Sequence, residues 1–326
     1  MKNGRPKIFE SVELKEHIGK INEFSELDEG LNSVYRVRSN DGEFIVKECT
    51  NDRNDIEWFR AEPLIYERLE SLEIPSPEVI YTDLYPEEGN EFFVMTKMEG
   101  VNPSGFKKNI DFDVLKGILR EFGRILGVIH SNTEMDGYGM LGGFEGSINN
   151  TDEAEKWIWH LQGAVEEMED LIEDGWDKAP ALDYPSEERI AELLPESPQA
   201  VLLHLDNRLD NLLIDDNQVT AFLDWSHPEA GHHEYDIVRA EYLLIDYDLG
   251  FLDEERKKDL REALYEAYEG EMKIEKEDFE KRKNLYRKIT VIWIMAGFPN
   301  WGAEFEPDKK KSFRKKLVER ARKEGL

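Results

Sequence analysis

The stretch "VYRVRSNDGEFIVKE" (34–48) alternates apolar and polar residues on both sides of "SNDG", the pattern of two half-exposed strands joined by a tight turn. Together with the residues before it, 24–50 reads as strands around two turns, preceded by a short helix at 11–20. A helix over about 55–72 stops before "IPSPEVI", whose prolines start an extended segment, and "EFFVMTKMEG" (91–100) is a further strand running into a turn. Beyond residue 100 the period changes. Leu115, Ile118, Leu119, Phe122, Ile125, Leu126 and Ile129 recur at helical spacing and predict a long amphipathic helix. Further helices are predicted at 153–173, 186–194, 234–246, 253–268, 277–296 and 308–324, with short strands between 200 and 225. No repeat or low-complexity linker interrupts the chain. The pattern describes a small β-rich lobe joined near 96–100 to a larger helical lobe, with a cleft between them.

Composition narrows the classes of partner. The 42 basic residues face 72 acidic ones, a formal net charge of −30, so duplex DNA and anionic membranes are repelled as partners, and a small anion needs a local basic patch. The longest apolar run, "ITVIWIMAGF" (289–298), is too short to span a bilayer. The first twenty residues carry charges throughout and lack the apolar core of a signal peptide, and the single cysteine, Cys49, excludes an internal disulfide. A cytoplasmic protein is expected. The charge also carries a stability prediction. Debye screening shortens from ~30 Å at 0.01 M salt to ~3 Å at 1 M, so added salt relieves carboxylate repulsion in the compact state. The melting temperature of the nucleotide-free protein is expected to rise by several degrees between low salt and 1 M KCl. A flat or falling curve would mean that the acidic groups are already paired.

The chemistry concentrates in "LLHLDNRLDNLLIDDNQVTAFLDW" (202–225). "LLI" and "VTAFL" flank "DDNQ" as a hairpin closing near 216–217, which sets Asn211 roughly opposite Asp224 at a ladder spacing of roughly 5 Å. Two oxygen donors at that spacing suit one or two Mg²⁺ ions. Asp206, on the loop before the first strand, is placed to face the same point and accept a proton from an attacking hydroxyl. An Asp base with Asn and Asp metal ligands is the arrangement that phosphoryl transfer to an alcohol requires.

"HLDNRLDN" resembles the HxDxxxxN catalytic loop of the aminoglycoside phosphotransferase and choline kinase superfamily, relatives of protein kinases, and "FLDW" resembles that superfamily's metal-binding strand. The resemblance implies an α+β, bilobal protein-kinase-like fold, with residues 1–98 as the nucleotide-binding N-lobe and 99–326 as the C-lobe with the acceptor helices. It implies ATP and Mg²⁺ as cofactors and a small hydroxylated molecule as acceptor. Asp206 then matches the base, Asn211 and Asp224 the metal ligands, and His204 a scaffold residue of the loop. Arg208 is positioned either to reach the γ-phosphate or to lie in solvent. Lys47 in "FIVKE" matches the strand lysine that holds the α/β-phosphates, and Glu62 the helix residue that aims it. Pro63 biases Glu62 away from helical geometry, which leaves Glu57 and Glu67 as other partners. Gly30, Asn32 and Ser33 belong to the turn that would cover the phosphates, and Thr96 and Met98 to the adenine-binding hinge.

Several features nearby have ordinary readings. Gly231, Tyr235 and Asp236 match a superfamily pattern, yet Asp236 is expected mainly as a helix N-cap. His227, His232 and His233 lack zinc-ligand spacing. Trp157, Trp159, Trp293 and Trp301 fall at core spacing, with stacking on an acceptor as their other use. Leu205 stands where many relatives have glycine. The segment after Asp224 is too short for a protein-kinase activation loop, and the intact Lys47, Asp206, Asn211 and Asp224 count against a regulatory pseudokinase.

Overall fold

The computed structural model describes residues 6–27, 32–50, 56–87, 89–151 and 154–326. The alternating N-terminal segment forms β1 (Ile21–Leu27), β2 (Ser33–Ser39) and β3 (Glu43–Glu48), an antiparallel set that β4 (Val79–Asp83) and β5 (Phe92–Thr96) extend to a five-stranded sheet of order β1-β2-β3-β5-β4. Tyr35, Val37, Val46, Phe92 and Val94 face a core shared with Leu14 and Ile18 of α1 (Val12–Ile18). Phe93 and Met95 point the other way, onto Phe59 and Ile65 of α2 (Ile56–Ser71). The two-residue period of a strand puts Lys47 on this α2 face, beside its cross-strand partner Phe93.

Pro63 lies inside α2, and the helix runs through it. A proline there deletes the bond to the Phe59 carbonyl and crowds the preceding turn. Packing on two sides holds the helix in place: the sheet covers one side, and β6 (Gly139–Phe144) presses on another. A Cβ on Gly143 would lie 2.4 Å from the backbone carbon of Arg60, so glycine is required for this approach. The expectation that Pro63 would turn Glu62 out of the helix is thereby corrected. Glu62 is helical and 1% exposed.

The long amphipathic repeat becomes α3 (Phe112–Asn132). It runs along α7 (Glu254–Glu271) at close range, because a Cβ on Gly123 would come within 2.3 Å of the Leu264 carbonyl oxygen. α4 (Trp157–Gly175), α5 (Glu187–Leu193), α8 (Phe279–Trp301) and α9 (Pro307–Lys323) complete the helical region with α6 (His233–Glu241), which continues as a π turn, Tyr242–Asp248. One core cluster reaches from Phe59 and Phe93 through Leu119 and Phe122 to Phe222 and Trp225, so the sheet region and the helical region share apolar packing.

Three strands were not expected. β6, β7 (Ser147–Asn150) and β11 (Glu229–His232) join β8 (Ala200–Leu203) in a second sheet of order β7-β6-β11-β8. They are short, and β6 reads "GMLGGF", with too little apolar alternation to mark it. Their pairing is decided by partners distant in sequence, such as Gly231 opposite Val201. β9 (Leu212–Asp215) and β10 (Gln218–Phe222) form the expected hairpin, with Asp216 (φ 45°) and Asn217 (φ 66°) both left-handed, as a two-residue type I′ turn requires. Among the described residues no helix is long and apolar enough to cross a membrane.

Candidate active site

β8 leads into the loop that begins at His204, and a 3₁₀ turn, Leu209–Asn211, ends it at the hairpin. The Asp206 carboxylate accepts hydrogen bonds from Arg208 Nε at 2.9 Å and Asn211 Nδ2 at 3.0 Å. Asn211 Nδ2 also donates to the Asp206 carbonyl at 2.8 Å, which leaves Asn211 Oδ1 as the amide atom suited to a cation. Arg208 lies neither in open solvent nor at a free position: it is bound to Asp206 and lies 3.5 Å from Asp210.

The hairpin register differs by one residue from the expectation. A bulge at Thr220 breaks the ladder between Val219 and Ala221, and the Leu223 N–H donates to the Asn211 carbonyl at 2.9 Å. Leu223, not Asp224, is thus the direct neighbour of Asn211, and Asp224 is one residue beyond. Thr220 Oγ1 donates to the Glu99 carbonyl at 2.7 Å, tying the bulge to the connection that follows β5. Asp224 itself has φ 66°, a left-handed backbone that turns the strand away after Leu223.

Lys47 Nζ lies 2.5 Å from Glu62 and 3.5 Å from Asp224, which is 177 residues away in sequence. Tyr66, one helical turn beyond Glu62, donates to Glu62 at 3.3 Å and accepts the Asp224 N–H at 3.1 Å. Sequence reasoning missed Tyr66; the signal available was its i+4 spacing from Glu62 on α2. Burial acts most strongly against the Asp224 carboxylate, but the Lys47 ammonium, a hydrogen bond from Ser226 and the nearby His204 and His227 together outweigh it and hold the group below the usual carboxylate range. Burial likewise opposes the Lys47 charge, and Glu62 and Asp224 raise Lys47 above its ordinary value. Burial pushes Glu62 upward against the pull of Lys47.

Asp236 is not a cap. It sits inside α6, fully buried, and accepts bonds from the N–H groups of His204 and Leu205 at 2.9 Å each, from Asn207 Nδ2 at 2.5 Å and from His130 Nε2 at 3.2 Å. These donors fold the loop around one carboxylate. Burial alone would raise its pKa; the bonds from His130 and His204 overcome that and keep it low. Leu205 occupies a backbone conformation that favours glycine. Its φ is 62°, a conformation that costs a leucine about 1–2 kcal/mol, and Arg239 Nε on its carbonyl with Asp236 on its N–H hold it there. His204 is the scaffold expected: its Nδ1 accepts the Asp206 N–H, so Nε2 carries the proton given to the Leu223 carbonyl at 2.9 Å.

His232, His233 and Glu234 offer ligand atoms within 4.8 Å of one another. Those atoms are committed elsewhere. His232 Nδ1 meets the Tyr286 hydroxyl at 2.8 Å, His233 Nδ1 meets Tyr268 at 2.9 Å, and Glu234 holds Arg282 with both oxygens. Burial drives His232 well below the usual histidine value and His233 down to about 3, so both are neutral in the fold. The unfolded chain takes up these protons below pH ~6.5 while the fold refuses them, so acid favours unfolding. Stability is expected to fall as pH drops from 6.5 toward 4, by up to ~1.4 kcal/mol per pH unit for each histidine. Urea midpoints across that range check this, with His233→Gln flattening the slope; an unchanged midpoint would remove the two histidines as its cause.

The nucleotide-side residues fall into two groups. Gly30 lies outside the described residues. Ser33 opens β2 and Asn32 precedes it, and Asn32 Oδ1 is buried without a partner among the described residues. Thr96 gives its N–H to the Glu78 carbonyl at 2.9 Å and accepts the Glu78 N–H on its hydroxyl at 3.0 Å. Met98, two residues on, enters no backbone hydrogen bond among the described residues, so its peptide groups are the open ones of this pair. Of the tryptophans, Trp157 is fully buried and donates to Tyr286 at 3.0 Å, while Trp159, Trp293 and Trp301 are 47%, 36% and 40% exposed. Trp293 carries the Arg239 guanidinium at 3.8 Å, which connects it to the Leu205 carbonyl.

A lysine–glutamate pair between sheet and helix, facing an Asp-bearing hairpin and loop, defines a protein-kinase-like fold. The chain belongs to the phosphotransferase enzyme family, whose model matches residues 23–274. Among solved structures it is similar to a thermostable mutant of aminoglycoside phosphotransferase APH(4)-Ia in ternary complex with AMP-PNP and hygromycin B (TM-score 0.64, 15% identity, 96% of this chain and 97% of that one). It is also similar to the macrolide 2'-phosphotransferase MphH of Brachybacterium faecium (TM-score 0.59, 14% identity, 92% and 95% covered). No curated protein sequence matches the chain.

Proposed function

We propose that this protein transfers the γ-phosphoryl group of ATP to a hydroxyl of a small molecule, with Mg²⁺ as the metal. The observation that carries the reading is the Lys47 ammonium between Glu62 and Asp224, because it brings a phosphate-binding cation and a hard anionic ligand to one point across the whole chain. Residues 1–98 would hold the nucleotide, with Met98 offering its peptide groups to adenine, Thr96 shaping the hinge through Glu78, and Gly30, Asn32 and Ser33 covering the phosphates. Residues 99–326 would hold the acceptor. The donor set suits Mg²⁺: a carboxylate on Asp224 and the amide oxygen of Asn211 are hard oxygen ligands beside a loop that Asp236 holds in place. When bound, Mg²⁺ neutralises charge on the β- and γ-phosphates.

The protein's own groups do the rest. Asp206 orients the acceptor hydroxyl and takes its proton, and Arg208, released from Asp206 by an incoming phosphate, pairs with the transferring group. Trp293, part-exposed and linked through Arg239 to the catalytic loop, is the tryptophan best placed to meet the acceptor. Similarity to enzymes solved with hygromycin B, or named for macrolides, supports a small hydroxylated acceptor; antibiotics as such do not follow from it. The acidic surface argues against nucleic acid and membrane partners, and the single cysteine fits a cytoplasmic location.

The test is a panel of hydroxylated metabolites incubated with purified protein and Mg·ATP, reading ADP release; no acceptor-stimulated release across sugars, amino alcohols and aminoglycosides would count against the proposal. Asp224→Ala is expected to weaken Mg·ATP binding as well as turnover, since it removes the anionic ligand. Nucleotide titration with and without Mg²⁺ checks this. Unchanged metal dependence would move the ligand role elsewhere, with Asp210 the first alternative.

A further inference from the structure

The catalytic loop is held at two places, and the kinase-like reading accounts for one of them. Asp236 gathers its first half, at His204, Leu205 and Asn207. The second half begins the 3₁₀ turn Leu209–Asn211, whose leading N–H groups have no partner within the turn. Asp248, the last residue of the π turn and 4% exposed, supplies that partner: its Oδ2 accepts the Leu209 N–H at 2.9 Å. Its Oδ1 binds Lys107 Nζ at 2.7 Å. The Leu249 N–H bonds the Leu244 carbonyl five residues back, at 3.0 Å, and this wider register sets the angle at which Asp248 leaves the helix.

We infer that Asp248 is a positioning residue for the metal-ligand end of the catalytic loop, capping from a distance the turn that aims Asn211. The inference rests on the proposed function for its purpose and on geometry for its existence. Three features support it. The bond is charge-assisted and buried, the class with the largest net contribution. The turn it caps carries Asn211, whose Nδ2 closes back on Asp206, so loosening Leu209 frees both residues at once. Lys107 belongs to the segment that follows the hinge, and Asn102 of the same segment donates through Nδ2 to the Asp210 carbonyl. The connection leaving the N-terminal sheet is therefore joined to the loop at Leu209, through Asp248, and directly at Asp210.

The experiment compares the full-length protein with Asp248→Ala and with the double variant Asp248→Asn, Lys107→Met. The double variant keeps an oxygen acceptor for Leu209 and removes the ammonium that would face the new amide. Hydrogen exchange at the Leu209 amide is the first readout. Loss of a charge-assisted bond should speed it roughly 10- to 100-fold in Asp248→Ala, and the double variant should restore near-original protection. The second readout is Mg²⁺ dependence of AMP-PNP binding. Asp248→Ala should raise the half-saturating Mg²⁺ concentration by about tenfold or more, in line with groups that orient metal ligands, while metal-free nucleotide binding changes less than about twofold. A purely structural role would lower both kinds of binding together. Unchanged Leu209 exchange in Asp248→Ala overturns the inference, as does a double variant no better protected than the alanine variant. Should Asp248→Ala fail to fold, the double variant decides alone, supporting the anchor if Leu209 stays protected and overturning it if not. Failure of the phosphotransfer reading looks different: the unmodified protein would then show no Mg²⁺-dependent AMP-PNP binding, with the exchange result untouched.

Discussion

Asp206→Asn is expected to fold, to bind nucleotide with unchanged affinity, and to lose about 10²–10⁴ in turnover, the range that a general base contributes. The substitution keeps size and shape while removing the carboxylate proposed to take the acceptor's proton. It also removes a charge from a crowded corner. Arg208 and Asn211 both donate to the Asp206 carboxylate, and an amide has one oxygen to offer them. Some rearrangement of Arg208 toward Asp210, 3.5 Å away, should follow. Nucleotide affinity separates the two effects, since the proposed function assigns it to Lys47 and Asp224 rather than to Asp206. Near-normal transfer by this variant to the true acceptor would sink the assignment of the base.

Asp236→Ala carries the second large effect, on stability and activity together. The substitution strands four donors in the interior: two backbone N–H groups, the Asn207 amide and His130 Nε2. Removing one member of a buried charged network typically costs about 3–5 kcal/mol, because what remains is desolvated and unpaired. Leu205 then has less to hold it in the left-handed region, so the loop should relax and turnover disappear even in the molecules that fold. Asp236→Asn keeps one acceptor oxygen and should fall between. Urea unfolding checks the first part, and a loss smaller than ~1 kcal/mol for the alanine variant would show that other contacts hold the loop.

Neither effect has the same standing in the sequence. Asp206 is legible there because its neighbours are: the apolar runs around it read as strands, the polar turn fixes a hairpin, and the intervals to Asn211 and Asp224 follow from that local geometry. Lys47 is legible for the same reason, since strand parity decides which face it takes. The repeat from Leu115 to Ile129 likewise specifies α3 by itself. Periodicity is a short-range property, and these elements need only their own residues to display it.

What remained hidden depends on partners far along the chain. The strands β6, β7 and β11 exist because β8 and one another satisfy their peptide groups, and nothing in "GMLGGF" signals that. Pro63 argues locally against a helical Glu62, yet the sheet and the close approach of Gly143 keep α2 intact through it. An unbroken ladder from the turn at Asp216 and Asn217 would set Asn211 opposite Phe222, and the bulge at Thr220, tied to Glu99, moves its neighbour to Leu223, so the register was settled outside the hairpin. Asp236 reads locally as a cap, yet it and Asp248 both accept loop N–H groups once folding buries them beside the loop. An isolated buried carboxylate is costly, and its role is therefore assigned by whatever donors the tertiary structure brings to it. The sequence by itself determined the periodic elements and the chemical set; the tertiary structure decided the second sheet, the hairpin register and how the loop is held, because satisfying buried polar groups is a non-local requirement.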